Sequence, residues 1–291
     1  MKSQTRIIFI VVLIITGAFL LTLSGCAFRR ISKTKNIVYL KEDKSTHSAE
    51  QQLNVFAPRK HRAPKDVIVF IHGGNWNSGR KSQYNIIGKN WAKKGVVYVI
   101  IDYPLSPVAN YKGMAIAAAQ SIKWVKDSIA EYGGNPERIF VSGHSAGGHL
   151  AALISIDEHY FRDLGIKNPL AGTILIDAGG LDMYGYLTDE KFSKSHTYYK
   201  TFSDNPETWK DASPLSHLHN NMPPMIIYQG GKTYPSIIKS NQKFVKALDN
   251  FAPDTPFYVQ KSKKHVPMIT QYFNPWNKRF KKIIRFMKDT K

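Results

Sequence analysis

A serine between two glycines marks a sharp junction between two sequence patterns. Ser145 lies in the segment GHSAG at 143–147, which follows a β-branched run and precedes an alanine-rich pattern with helical spacing. A strand that turns directly into a helix at a G-x-S-x-G motif lifts the serine hydroxyl above the carboxyl ends of the strands, at the helix N-terminus. Side chains at Gly143 and Gly147 would collide as the chain doubles back. The pattern predicts a nucleophile at Ser145.

A second glycine-rich segment could stabilise negative charge next to this serine. The sequence HGGNW at 72–76 follows a buried apolar run. Acyl transfer needs backbone N–H groups directed at the carbonyl oxygen as it becomes an oxyanion, and glycines allow the backbone to approach it closely. We expect the N–H of Gly73 or Gly74, together with the N–H of Ala146, to form this oxyanion hole.

Alternating strand and helix patterns must position these two segments. Continuous apolar runs are typical of parallel strands that are covered on both faces. The runs lie at 53–58, 66–74, 95–104, 170–180, 223–231 and 255–262, with helical spacing at 114–133, at about 236–249 and at the basic C-terminus. The alternation predicts a doubly wound, mostly parallel α/β sheet flanked by helices, in a domain at 51–291. Residues 183–221 break the alternation and form either a small cap over the site or a surface excursion.

The ordered motifs resemble those of the α/β-hydrolase superfamily, and in particular the carboxylesterases of the hormone-sensitive-lipase and feruloyl-esterase-like groups. The segments that carry the resemblance are HGGNWNSGRK, DYPLSP, the long stretch around the Ser145 motif and KKHVPM near the C-terminus. The resemblance covers about residues 50 to 290. It implies the α/β-hydrolase fold and hydrolysis of an ester, or sometimes an amide, through a covalent acyl-enzyme without metal or cofactor.

The resemblance also implies a histidine base and a carboxylate that orients it. His265 follows the last predicted strand, where its imidazole would take the proton of Ser145. The turn after the seventh strand usually carries the acid, but Thr233 occupies that place here. Asp182, after the sixth strand, is our predicted acid. Asp177 and a Ser–His dyad without a carboxylate are the alternatives.

The remaining histidines have simpler interpretations. His72 and His144 belong to the two loops of the site and are expected to pack there, and His149 lies on the helix after the serine. His217 and His219 form an H-x-H pair, but no nearby carboxylate or cysteine completes a metal site. We therefore predict no metal and no cofactor.

The N-terminus has the features of a secretory signal. Lys2 and Arg6 precede an apolar run at 7–23 that is short for a membrane span and suits the apolar region of a signal peptide. The run ends in LSGC at 23–26, which resembles the lipobox of bacterial lipoproteins. An uncleaved anchor helix is the alternative.

The lipobox resemblance predicts a signal peptide at 1–25, lipidation of Cys26 and a polar tether at 26–50. It places the protein in the bacterial cell envelope, periplasmic or surface-exposed, and Ala27 favours the outer membrane where the host has one. Cys26 is the sole cysteine, so internal disulfides are excluded.

The chain is strongly basic, with a formal net charge of +20. It contains no nucleic-acid motif, so the expected partners are a small ester substrate and the membrane that holds Cys26. The charge suggests either a solvated surface or attraction to anionic groups of the envelope. Two alternative functions remain, an amidase related to formamidases and a catalytically weak binding lipoprotein. The sequence does not indicate the oligomeric state.

Overall fold

The computed structural model of the chain describes residues 31–42, 49–59, 63–190, 192–193 and 196–290. The predicted signal peptide at 1–25 and Cys26 lie outside the described residues. No helix in the described ranges combines the length and apolarity that a membrane crossing needs.

The predicted alternation of strands and helices is confirmed. The strands are β1 Ile31–Leu40, β2 Gln51–Pro58, β3 Lys65–Ile71, β4 Val97–Ile101, β5 Gly134–His144, β6 Leu170–Ile176, β7 Met225–Gly230 and β8 Phe257–Gln260. In the described part of the chain they form one eight-stranded sheet in the order β1-β2-β4-β3-β5-β6-β7-β8. β2 is antiparallel to β1 and β4, and the pairs from β4 through β8 are parallel.

Helices cover both faces of this sheet. The α-helices are α1 Asn85–Lys93, α2 Tyr111–Ser128, α3 Ala146–Ile156, α4 His159–Arg162, α5 Met183–Asp189, α6 Thr197–Phe202, α7 Pro206–Asp211, α8 Pro235–Leu248, α9 His265–Thr270 and α10 Arg279–Asp289. Short 3-10 turns lie at Lys81–Tyr84, Ile129–Tyr132, Pro214–His217 and Gln271–Phe273.

The hydrophobic core divides into two layers because side chains alternate along each strand. In β3, Val67 and Val69 belong to the layer that α2 and α3 cover. Ile68 and Phe70 belong to the opposite layer, which α1 and α10 cover. A strand buried on both faces has no polar positions, so the continuous apolar run of β3 is what a central parallel strand requires.

The predicted tether needs a correction. Residues 31–40 are not a tether but the edge strand β1, in which Ile31 pairs with Pro58 and Leu40 with Gln51 of β2. The Tyr39 hydroxyl also donates to the carbonyl of Asp102 at 2.6 Å. Strand pairing uses backbone N–H and C=O groups, so an exposed polar edge strand carries little apolar alternation in its sequence.

Candidate active site

The turn between β5 and α3 holds Ser145 in a backbone conformation that is rare for a residue with a side chain. Ser145 has φ +57°, and such strain is typical of functional sites. A Cβ atom at Gly143 would lie 2.1 Å from the carbonyl oxygen of Gly147. One at Gly147 would lie 2.1 Å from the carbonyl oxygen of Ile71. Both glycines are therefore required by close backbone approach.

Three side chains from separate strand ends form a hydrogen-bonded chain. The Nε2 atom of His265 lies 2.8 Å from the Ser145 hydroxyl oxygen. On the other side of the ring, Nδ1 lies 2.6 Å from Oδ2 of Asp177. A carboxylate can only accept, so Nδ1 carries the proton and Nε2 accepts from the serine hydroxyl. This tautomer leaves Nε2 free to act as a base toward Ser145.

Asp177 is held by donors on both carboxylate oxygens. Its side chain is fully buried, and the backbone N–H of Gly230 donates to Oδ1 at 2.7 Å. The Thr233 hydroxyl donates to Oδ2 at 2.5 Å. A buried charge is costly unless it is hydrogen-bonded, and these contacts from β7 and the turn after it meet that need.

The structure does not bring Asp182 to His265, so the expected acid is corrected from Asp182 to Asp177. Asp182 begins α5, where Oδ1 accepts from the N–H of Gly185 at 2.9 Å and Oδ2 accepts from Lys243 at 2.6 Å. Four residues, 178–181, carry the chain away from the strand end before Asp182. A helix cap and an ion pair therefore use its carboxylate.

Asp177 is one of the alternatives to Asp182 as the predicted acid, and its position in the sequence carries a signal for that role. It follows the last residue of β6 directly, at the carboxyl edge where parallel sheets place ligand groups. Its φ of +49° departs from the strand geometry. The contact between Thr233 and Asp177 was not predicted from the sequence, because a single hydroxyl after β7 forms no recognisable motif.

The expected oxyanion-hole residues border the serine. A Cβ atom at Gly73 would lie 3.0 Å from Cβ of Ser145 and 2.8 Å from the carbonyl oxygen of His144, so only glycine fits here. Gly74 has φ +135°, which favours glycine. Ala146 is the first residue of α3, where N–H groups have no acceptor within the helix. These positions suit donors to an oxyanion.

His144 contacts His265 through both its ring and a hydrogen bond. Its Nε2 donates to the backbone carbonyl of His265 at 3.2 Å, and the two rings lie 4.6 Å apart. Burial, followed by the neighbouring His265 ring, lowers the pKa of His144 from 6.5 to about 3. His144 is therefore neutral in the folded protein, where it holds the backbone at the start of α9.

The other histidines make structural contacts. His72 packs 4.5 Å from the Tyr103 ring, and burial lowers its pKa. His149 accepts from Trp76 Nε1 at 3.1 Å. His217 and His219 lie close to backbone carbonyls, of Asp211 at 2.8 Å and of Ile156 at 2.9 Å. Within the described ranges, no group of three or more His, Cys, Asp or Glu residues could hold a metal ion.

A cavity of about 860 Å³ opens above Ser145. Its lining includes Tyr186 and Tyr198, which come from residues 183–221. The segment therefore forms part of the cavity wall, which favours the cap alternative. Tyr234 and Phe273 also line the cavity and are exposed. Among the described residues that line the cavity, none is a Lys, Arg, Asp or Glu.

Comparison with known proteins places this geometry in a family. The family model described as BD-FAE matches residues 53–248. The probable isoprenylcysteine alpha-carbonyl methylesterase ICMEL1 of Arabidopsis thaliana is 26% identical over 236 residues, which cover 76% of this chain and 49% of the relative. Esterase LipQ of Mycobacterium tuberculosis is 27% identical over 215 residues, covering 70% of this chain and 50% of LipQ. The chain spans about half the length of these curated relatives.

Solved structures share the architecture. A structure titled "Truncated form of carbohydrate esterase from gut microbiota" superposes with a TM-score of 0.75 at 18% identity, covering 89% of this chain and 96% of that one. At this identity the likeness shows the fold alone. The predicted α/β-hydrolase fold is thereby confirmed.

Proposed function

Because the chain belongs to the BD-FAE family, we propose that it is a serine hydrolase that cleaves carboxylic esters. The observation that carries the proposal is the hydrogen-bonded chain from Ser145 through His265 to Asp177 at the base of a cavity. The names of the curated relatives, which are esterases, support ester hydrolysis.

In the proposed reaction, the Ser145 oxygen attacks the ester carbonyl carbon while His265 Nε2 takes the hydroxyl proton. The carbonyl oxygen becomes an oxyanion, which accepts hydrogen bonds from the N–H groups of Gly73 or Gly74 and Ala146. His265 then gives the proton to the leaving alcohol oxygen, and the acyl group stays on Ser145. Water then attacks the acyl carbonyl carbon while His265 Nε2 takes its proton; that proton passes to the Ser145 oxygen as its bond to the acyl group breaks, which releases the acid and restores the enzyme. Asp177 keeps the imidazole in the reactive tautomer throughout.

The cavity favours a neutral ester over an anionic one. An anionic substrate would need a cationic group close to it when water is displaced, and the described lining residues include no Lys or Arg. The net charge of +20 is therefore not reflected in the described lining of the cavity. Aromatic side chains such as Trp76 and Tyr198 supply apolar contact area for an uncharged substrate.

The rival functions make different predictions. A formamidase-like enzyme would turn over an amide as fast as the matched ester. A binding lipoprotein would hold ligand without turnover, and the main reason to expect one was the lack of a carboxylate after the seventh strand. Asp177 removes that reason, because it supplies the carboxylate from β6.

The test is turnover of short-chain p-nitrophenyl esters by the mature-length protein, with Ser145→Ala and the exposed control Ser216→Ala. Ser145→Ala should lose activity by a factor on the order of 10⁶, because the nucleophile is absent. Ser216→Ala should match the wild type. A fluorophosphonate probe should label the wild type and not Ser145→Ala. Absence of both turnover and labelling in folded wild type would refute the proposal.

We also propose that Cys26 anchors the enzyme to the envelope membrane. The support is the order of segments at the N-terminus, where two positive charges are followed by an apolar run and then by LSGC at 23–26. In a bacterial host that produces the full chain, a palmitate analogue should label the wild type and not Cys26→Ser. An unlabelled wild type that retains residues 1–25 would instead indicate an uncleaved anchor helix.

A further inference from the structure

Thr233 stands between the acid and the base of the site. Its hydroxyl oxygen lies 2.5 Å from Oδ2 of Asp177 and 3.3 Å from Nδ1 of His265. Thr233 is only 9% exposed. The hydroxyl therefore contacts the same carboxylate oxygen that accepts the histidine proton, in a place with little access to water.

The contacts around Asp177 show what this hydroxyl does. Nδ1 of His265 already carries a proton, so the Thr233 proton can go only to Asp177. Oδ2 then accepts from Thr233 and His265, while Oδ1 accepts from the N–H of Gly230 at 2.7 Å. The two donors from the β7 end oppose rotation of the carboxylate, which keeps Oδ2 directed at the ring.

A carboxylate at position 233 would not serve this site. It would face Asp177 at hydrogen-bond distance, and two like charges at that separation disfavour ionisation of both. A neutral donor satisfies the buried carboxylate without adding charge. The hydroxyl of Thr233 is thus the chemical complement of an acid that comes from β6.

We propose that Thr233 is a positioning residue for catalysis, which acts by holding Asp177 in hydrogen-bonding geometry with His265. The proposal rests on the proposed serine hydrolase function. Thr233 itself touches neither the nucleophile nor the substrate carbonyl in the proposed reaction. Its effect should therefore appear in kcat, should require the hydroxyl and should vanish when Asp177 can no longer act.

The experiment compares Thr233→Val, which has the same shape without the hydroxyl, with Thr233→Ser, which retains it. Thr233→Val should lower kcat for a p-nitrophenyl ester about 10- to 100-fold, as expected for loss of a hydrogen bond to a charged group. KM should change by less than about 2-fold, and Thr233→Ser should stay within about 3-fold of the wild type. Equal activity of Thr233→Val and wild type, or equal losses in both variants, would overturn the proposal.

A matched control separates positioning from general stability. Thr173 on β6 is fully buried, and its hydroxyl contacts Ser155 of α3, which is not among the residues that line the cavity. Thr173→Val should lower the melting temperature and leave kcat within about 2-fold, because the hydroxyl it loses does not reach the site. If it lowers kcat as much as Thr233→Val, the Thr233 effect is one of stability and the proposal fails.

A double-mutant cycle tests the route of action. In an Asp177→Asn background, adding Thr233→Val should lower kcat by less than about a further 2-fold, because the carboxylate that Thr233 positions is already gone. Additive losses would contradict positioning through Asp177.

An NMR measurement, which needs no turnover, tests the positioning role of Thr233 independently of the proposed esterase function. The proton on His265 Nδ1, hydrogen-bonded to Asp177, should give a far-downfield NMR resonance that moves in Thr233→Val and returns in Thr233→Ser. If the wild type turns over no ester but the resonance behaves this way, positioning stands and the esterase proposal fails. A resonance that Thr233→Val leaves unmoved overturns positioning.

Discussion

At the residue scale, the site depends on which of two nearby aspartates meets the histidine. Asp177 is fully buried and follows β6 directly. Asp182 instead caps the N-terminus of α5 and forms an ion pair with Lys243. The Lys243 side chain is 54% exposed, so solvent screens that pair. The two carboxylates thus have separate roles, although only four residues lie between them.

Replacing each aspartate by asparagine should separate these roles. Asp177→Asn should reduce kcat by a factor on the order of 10⁴, because the amide can donate to Nδ1 and favours the wrong histidine tautomer. Asp182→Asn should leave kcat within about 2-fold and lower the free energy of unfolding by about 1 kcal/mol or less, since asparagine still caps a helix. Ester kinetics and urea unfolding measure both. Equal activity losses in the two variants would contradict the assignment of the acid.

At the element scale, α3 connects residues 183–221 to the loop at 72–76. The connection runs through His149. Trp76 donates from Nε1 to His149 Nδ1, and His149 Nε2 donates to the carbonyl of Ala212 at 2.7 Å. The Tyr198 hydroxyl donates to Asn75 at 2.8 Å. Asn75 and Trp76 have φ values of +52° and +60°, so contacts with the cap hold a strained loop in place.

This link should make stability depend on pH. Burial lowers the pKa of His149 from 6.5 to about 4, so between these values the unfolded chain binds a proton that the folded chain does not. The free energy of unfolding should therefore fall as pH is lowered through this window, by up to about 1.4 kcal/mol per pH unit for this group. Urea unfolding at several pH values measures the slope.

The His149→Gln variant isolates this contribution, because glutamine does not titrate. Its slope between pH 6.5 and about 4 should be shallower than that of the wild type. His144, with a pKa that burial lowers to about 3, contributes in the same direction and is retained in both proteins. An identical slope in the two proteins would show that His149 is not the titrating group.

At the scale of the whole molecule, the exposed cations lie outside the described lining of the cavity. Lys239, Lys243 and Lys246 line a shallow surface depression on α8, and α10 exposes several further cations, Lys281, Lys282, Arg285 and Lys288. The described lining of the cavity above Ser145 contains no Lys or Arg. Such a distribution acts on charged molecules at a distance, through steering that salt screens.

Salt should therefore affect charged and neutral esters differently. The kcat/KM for a neutral ester should change by less than about 2-fold between about 0.05 and 0.5 M NaCl, because a substrate without net charge is not steered by the exposed cations. An anionic ester of the same acyl group should lose any advantage as salt rises. A preference for the anionic ester that persisted at high salt would require a cation within the cavity, contrary to the described lining.

The sequence alone determined the parts of this protein that depend on neighbouring residues. The G-x-S-x-G spacing reflects a turn in which Gly143 meets the backbone of Gly147, so the sequence predicted that turn, and continuous apolar runs predicted the buried parallel strands. The contacts of Gly147 with Ile71 and of Gly73 with His144 and Ser145 join the two loops and belong to the tertiary structure. Only the tertiary structure decided the acid. Asp177 and His265 are 88 residues apart, and their contact depends on how the ends of β6 and β7 and the start of α9 converge. Edge strand β1 was not predicted for a related reason. It is held by backbone pairing with β2, which does not depend on a particular pattern of exposed side chains.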